Sequence, residues 1–193
     1  NSIMTKFETP MMKQYADIKK RHSDCILFFR LGDFYEMFMD DAKIGADVLD
    51  ITLTKRDRGK DGKIPMAGVP YHAAETYLNK LVRNGYKVAI CEQVGDTSNP
   101  GLVEREVVRI VTPGTILDEG SLEKKENNYI VGIHLEQNYF GLSISDISTG
   151  LFQTTEYSLE KLDEVLVNEL AKFNPAECVL PNDLYNDPEF LKK

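Results

Sequence analysis

A chain of 193 residues with 42% hydrophobic and 28% charged side chains is long enough to bury a core, as one large domain or two small ones. No apolar run approaches the roughly 20 residues of a membrane-spanning helix, and Met4 leads into Thr5-Lys6-Phe7-Glu8 without the apolar stretch of a signal peptide, so the expected setting is cytoplasmic, with no membrane partner. The net charge of −8 speaks against a nucleic-acid partner only until the chain is split: residues 1–116 hold 17 Lys and Arg against 16 Asp and Glu, whereas residues 117–193 hold 6 against 15. An acidic surplus confined to the second part indicates two units with different partners.

The first element is a helix over residues 9–22, with Thr9 as N-cap, Pro10 at its first position and Met11, Tyr15, Ile18 and His22 along one face. Next comes Ile26-Leu27-Phe28-Phe29-Arg30-Leu31-Gly32-Asp33-Phe34-Tyr35-Glu36-Met37-Phe38, two apolar runs around a Gly-Asp pair. Gly at the first central position supplies the positive φ of a tight hairpin turn. Alternation along the second strand would place Phe34, Glu36 and Phe38 on one face and Tyr35 and Met37 on the other. A ring and a carboxylate would then project together from the tip. The competing pattern is a capping box, Asp33 as N-cap with Glu36 reaching back, and Asp40 offers the following helix another place to begin. Phe34 as a plain core aromatic is the other alternative.

A helix is expected over 40–49 and a β-branched strand over 50–54. Residues 55–63, with five cations, two anions and two glycines, describe a flexible loop in which Lys55, Arg56, Arg58, Lys60 and Lys63 could track a phosphate backbone. The plain alternative is a solvated surface loop. Ile64 to Pro70 carries too many prolines for a central strand, after which Ala74, Tyr77, Leu78, Leu81 and Val82 space a helix closed by Asn84-Gly85. Strands are expected over 86–93 and 104–111, making the first unit mixed α/β. Residues 117–127 are a polar connector. Beyond it lie strands over 128–135, 139–147 and 151–157. A helix follows with Ser158 as N-cap and Leu159, Leu162, Leu166, Val167 and Leu170 inward, then a short strand over 177–180. That order is the first half of a ribonuclease H-like sheet, so the chain is expected to be a fragment.

Chemistry is sparse. No Gly-x-x-x-x-Gly-Lys-[Ser/Thr] or Gly-x-Ser-x-Gly motif occurs, and the three histidines and three cysteines are scattered, giving no catalytic or metal site and leaving Cys25, Cys91 and Cys178 as reduced thiols. Glu136, Asp146, Asp163 and Glu164 are carboxylates of the kind a two-metal nuclease uses, without a spacing that aims them at one spot. The hairpin tip suggests binding instead. An apolar wedge pays off where a base step already opens easily, so a Phe there reads a defect by deformability. A neighbouring carboxylate, repelled by phosphates, is useful only toward a displaced base.

Gly32-Asp33-Phe34-Tyr35-Glu36, Pro65-Met66-Ala67-Gly68-Val69-Pro70-Tyr71-His72, Ala89-Ile90-Cys91-Glu92-Gln93 and Arg109-Ile110-Val111-Thr112-Pro113-Gly114-Thr115, with Thr9 to Tyr15 ahead of them, together resemble the N-terminal part of the MutS family of bacterial DNA mismatch repair proteins. The resemblance implies an α/β chain: a mixed-sheet mismatch-recognition domain over 1–116, a linker over 117–127 and the front of a ribonuclease H-like connector domain over 128–193. It implies recognition of mismatches and small insertion or deletion loops, with Phe34 stacking on the mispaired base and Glu36 hydrogen-bonding it. It further implies mismatched duplex DNA and a MutL-type protein as partners, the latter through the connector. A homodimer, nucleoid association, ATP and Mg²⁺ belong to the full-length family. This stretch would be a binding fragment, not an enzyme. The alternatives are a metal-dependent nuclease or a protein-interaction module built on the second domain.

Overall fold

The computed structural model describes residues 9–57, 62–95, 101–117 and 126–192. The chain divides into two compact units, Asn1–Thr112 and Pro113–Lys193.

The first unit runs α1 (Pro10–Arg21), β1 (Cys25–Leu31), β2 (Phe34–Phe38), α2 (Met39–Leu49), β3 (Thr54–Asp57), β4 (Lys63–Pro70), a 3₁₀ turn (Tyr71–Ala73), α3 (Ala74–Arg83), β5 (Lys87–Gln93) and β6 (Arg105–Val111). Its six strands form one sheet ordered β3-β4-β2-β1-β5-β6. β1 pairs antiparallel with β2 and parallel with β5. Buried on both faces, it reads as an unbroken apolar run from Cys25 to Phe29. α1 is capped by the Thr9 side chain, which accepts from the Met12 amide. Its buried face is Met12, Tyr15 and Ile18, with Met11 only packed at the margin. Tyr15 meets Phe38 and Phe29 edge-on at 5.0 and 5.6 Å, closing the core over one face of the hairpin root. Against the other face α2 packs on β2 and β4, and a Cβ on Gly45 would fall 2.4 Å from the Met37 sulfur, so the helix lies as close as glycine permits.

Four expectations are corrected. α2 does not start at an Asp40 cap: Phe38 is its N-cap without a side-chain bond, and Met39, at φ 56°, turns strand directly into helix. The strand expected over 50–54 begins only at Thr54, because Asp50 takes a left-handed conformation (φ 55°) to end α2. Lys55 and Arg56 belong to that strand and Lys63 to β4, so they are not loop residues. Arg58 and Lys60 lie outside the described residues. β4 is an interior strand despite Pro65 and Pro70. Pro65 sits in the half paired only with β3 and Pro70 in the half paired only with β2, so each proline has a neighbour on one side alone.

The second unit runs β7 (Tyr129–Leu135), β8 (Tyr139–Asp146), β9 (Leu151–Ser158), α4 (Leu162–Phe173), β10 (Glu177–Val179), α5 (Asn182–Tyr185) and α6 (Pro188–Leu191). The meander β7-β8-β9 continues through α4 to β10, which pairs parallel with β7, giving the order β10-β7-β8-β9. This is the expected front of a ribonuclease H-like sheet. A 3₁₀ turn over Leu159–Lys161 separates Ser158 from α4, so Ser158 does not cap it. Val167 is exposed, and Val165 packs on the cluster around Phe140, Leu142 and Leu166 in its place.

Candidate functional site

The β1–β2 hairpin closes through Gly32-Asp33, with Gly32 at φ 60° and Leu31 opposite Phe34. The capping-box alternative is therefore not what the chain adopts. Along β2 burial changes over five residues: Phe38 and Met37 are sealed, Tyr35 is buried, and Phe34 is 43% exposed. The ring of Phe34 stands at the tip beside Pro70, its cross-strand partner on β4.

Glu36 shares the Phe34 face but is half-buried, not openly projected as the alternation suggested. Its cross-strand neighbours are Phe29 on β1 and Gly68 on β4. A Cβ on Gly68 would lie 2.3 Å from Glu36 Oε2, so the carboxylate occupies the space that this glycine leaves empty. Oε2 is buried and makes no hydrogen bond among the described residues. Burial pushes the Glu36 carboxyl above the usual carboxylate range, and the positive charge of Arg56 partly opposes it. An acid held this way keeps its proton to higher pH than an exposed Glu. It can donate to a ring nitrogen when protonated and accept from an N–H when ionised. Glycine inside a strand signals close approach; Gly68 was the sequence cue to this seat.

Beneath the turn, on the opposite face, lies a polar cluster that the sequence patterns did not single out. Arg30 Nε donates to the Gly32 carbonyl at 2.6 Å, and its guanidinium lies 3.9 Å from the centroid of the Tyr71 ring and 3.3 Å from Glu92 Oε1. The Tyr71 amide donates to the Asp33 carbonyl at 2.9 Å. The Tyr35 hydroxyl donates to Glu92, and burial together with that carboxylate pushes its pKa up to about 12.

Of the basic candidates, Lys55 and Lys63 are exposed and Arg56 is half-buried, near enough to Glu36 to act on it electrostatically. In the second unit the four candidate carboxylates do not converge. Asp146 accepts from the amides of Asn128 and Ser148, and Glu136 pairs with His134. Among the described residues no group of three or more His, Cys, Asp or Glu could hold a metal ion. No described helix is long and apolar enough to cross a membrane.

The sequence matches the family descriptions MutS domain I over residues 9–120 and MutS domain II over 128–192. It is 49% identical over 186 residues to the DNA mismatch repair protein MutS of Acetivibrio thermocellus, covering 96% of this chain and 21% of that protein. It is 53% identical over 178 residues to the protein of the same name from Desulforamulus reducens (91% and 20%). The homologue of Staphylococcus saprophyticus is 53% identical over 174 residues (90% and 19%). The chain thus spans about one fifth of the length of the curated relatives it matches.

Proposed function

The chain belongs to the MutS family of DNA mismatch repair proteins, and from that premise we propose that its first unit senses mispaired bases and small insertion or deletion loops through Phe34 and Glu36. The observation that carries this reading is the pairing of an exposed ring at the hairpin tip with a buried carboxylate oxygen, two residues on, that has no hydrogen-bond partner among the described residues. Stacking a base on an aromatic ring is worth about 1–3 kcal/mol, whereas opening a step costs a few. A perfect duplex roughly cancels the gain, and a mispair, already short of pairing and stacking, lets the ring in. Glu36 adds a second filter. Its carboxylate is repelled by backbone phosphates and is satisfied only when a displaced base offers it a hydrogen-bonding partner, so it penalises intact DNA more than damaged DNA.

Lys55, Arg56 and Lys63 on the neighbouring strands supply sequence-independent attraction to phosphate, and Arg58 and Lys60 are assigned the same role. The second unit carries the acidic surplus. In keeping with the family it docks a MutL-type partner, and the full-length chain is assigned a homodimer acting at the nucleoid with ATP and Mg²⁺; residues 9–192 are read as the binding part. Titrating the full-length chain with a MutL-type partner, and sedimenting it alone, checks the docking and the dimer.

The test of the central reading is a titration of perfect and mismatched duplexes with Phe34→Ala and Glu36→Ala variants of the full-length chain. Phe34→Ala loses discrimination. Glu36→Ala loses part of it while affinity for perfect duplex stays level or rises. Undiminished discrimination in Phe34→Ala would remove the wedge role.

A further inference from the structure

We infer that Arg30 is a positioning residue for mismatch discrimination: it braces the Gly32-Asp33 turn from behind and fixes the direction in which Phe34 leaves the sheet. The inference rests on the wedge reading of Phe34 and extends it to a side chain on the other face. Arg30 and Tyr35 are cross-strand partners on that face, while Phe34 and Glu36 occupy the front. The carbonyls of both turn residues are held, Gly32 by Arg30 Nε at 2.6 Å and Asp33 by the Tyr71 amide at 2.9 Å.

Arg30 also joins those two tethers. Its guanidinium sits over the Tyr71 ring and reaches Glu92 through a second nitrogen, and Glu92 is itself held by the Tyr35 hydroxyl. One planar group thus links the turn, the start of the 3₁₀ segment after β4 and the end of β5. Only a fork that stacks and donates in two directions at once does this, which a lysine ammonium cannot. The side chain is 18% exposed, shielded enough for the contacts to persist.

The physical consequence is pre-organisation. A two-residue turn carrying a wedge would otherwise sample several ring directions. Ordering it would then be charged against the complex with mismatched DNA, where the ring must enter a gap of fixed orientation, and not against general backbone binding. Loss of the brace therefore lowers discrimination and spares affinity for perfect duplex.

The experiment is a thermodynamic cycle in the full-length chain with Arg30→Lys, Phe34→Ala and the double variant. It reads the ratio of dissociation constants for perfect and mismatched duplexes, together with each Tm. Arg30→Lys is expected to lower the ratio by roughly threefold to tenfold with perfect-duplex affinity unchanged, and to have no further effect once Phe34 is Ala. Tyr71→Ala, which removes the stacking surface but keeps the amide, behaves like Arg30→Lys; Tyr71→Phe retains the wild-type ratio. An unchanged ratio in Arg30→Lys overturns the inference. So does an equal loss in both Phe34 backgrounds, or a parallel weakening of both duplexes with a fallen Tm. A lost ratio in Phe34→Ala beside an intact one in Arg30→Lys sinks the brace alone, whereas an intact ratio in Phe34→Ala sinks the wedge and the brace together.

Discussion

The root and the tip of the β1–β2 hairpin are built from the same residue types and put them to opposite uses. At the root Phe28, Phe29 and Phe38 are fully buried, and Phe38 and Phe29 share the edge-on ring of Tyr15. At the tip Phe34 is left 43% exposed, with no ring contact among the described residues. The carboxylates divide in the same way. Asp41, beside the root, is buried but bonded to the Leu27 amide and to Lys19, whereas Glu36 carries a buried oxygen with no hydrogen-bond partner among the described residues. The rings and the carboxylate named at the root are satisfied, and the ring and the oxygen named at the tip are not. An unmet ring and an unmet oxygen within one strand turn are what a ligand completes.

The contrast is broken most severely at the root. Phe38→Ala is expected to cost about 3–5 kcal/mol of stability, from lost transfer energy and the cavity left behind. Phe34→Ala stays within about 0.5 kcal/mol of wild type because its ring is half in water already. Denaturant unfolding of the two variants side by side measures this, and equal losses would place Phe34 in the core after all.

A smaller effect is expected from Gly68→Ala. The added methyl would sit 2.3 Å from Oε2 of Glu36, and the carboxylate, as the free end of a flexible side chain, swings away. Discrimination falls roughly twofold to tenfold, the worth of about one hydrogen bond, with perfect-duplex affinity unchanged. Competition binding with both duplexes checks it.

The effect of pH sharpens the comparison further. Burial raises the Glu36 carboxyl above its unfolded value, so the protonated form is favoured in the fold. Its contribution is fully present below the ordinary Glu range and fades as pH climbs through the raised value. Folding stability should therefore decline as pH climbs above the ordinary Glu range, and Glu36→Gln, neutral throughout, should flatten that part of the curve in denaturant unfolding. A wild-type profile as flat as that of Glu36→Gln would dismiss the titration. The smallest change is expected from Lys55→Gln. It weakens both duplexes alike and reduces the slope of log affinity against log salt by about one. A mismatch-only effect would contradict its assignment to phosphate.

Much of this was legible in the residues, and the reasons for the exceptions are physical. A Gly-Asp pair between two apolar runs specifies a hairpin locally, and period-two alternation then dictates that Phe34 and Glu36 share a face. The spacing of Ala74, Leu78, Leu81 and Val82 likewise specifies α3. β4 was hidden because its prolines argue against an interior strand, and only the staggered pairing of β3 and β2 makes them tolerable. The seat of Glu36 and the Arg30 brace were hidden for a different reason. Both are set by register between strands distant in sequence, Glu36 against Gly68 and Arg30 beside Tyr71 and Glu92, for which the local pattern offers at most a glycine inside a strand.

A wedge that enters the stack kinks the duplex, so energy transfer between dyes at the two ends of a mismatched duplex, at saturating protein, tests Phe34 most directly. The account predicts that the full-length chain raises the transfer efficiency on mismatched DNA and that Phe34→Ala, bound to saturation, leaves it near the value of free DNA. An equal rise with both proteins would contradict it.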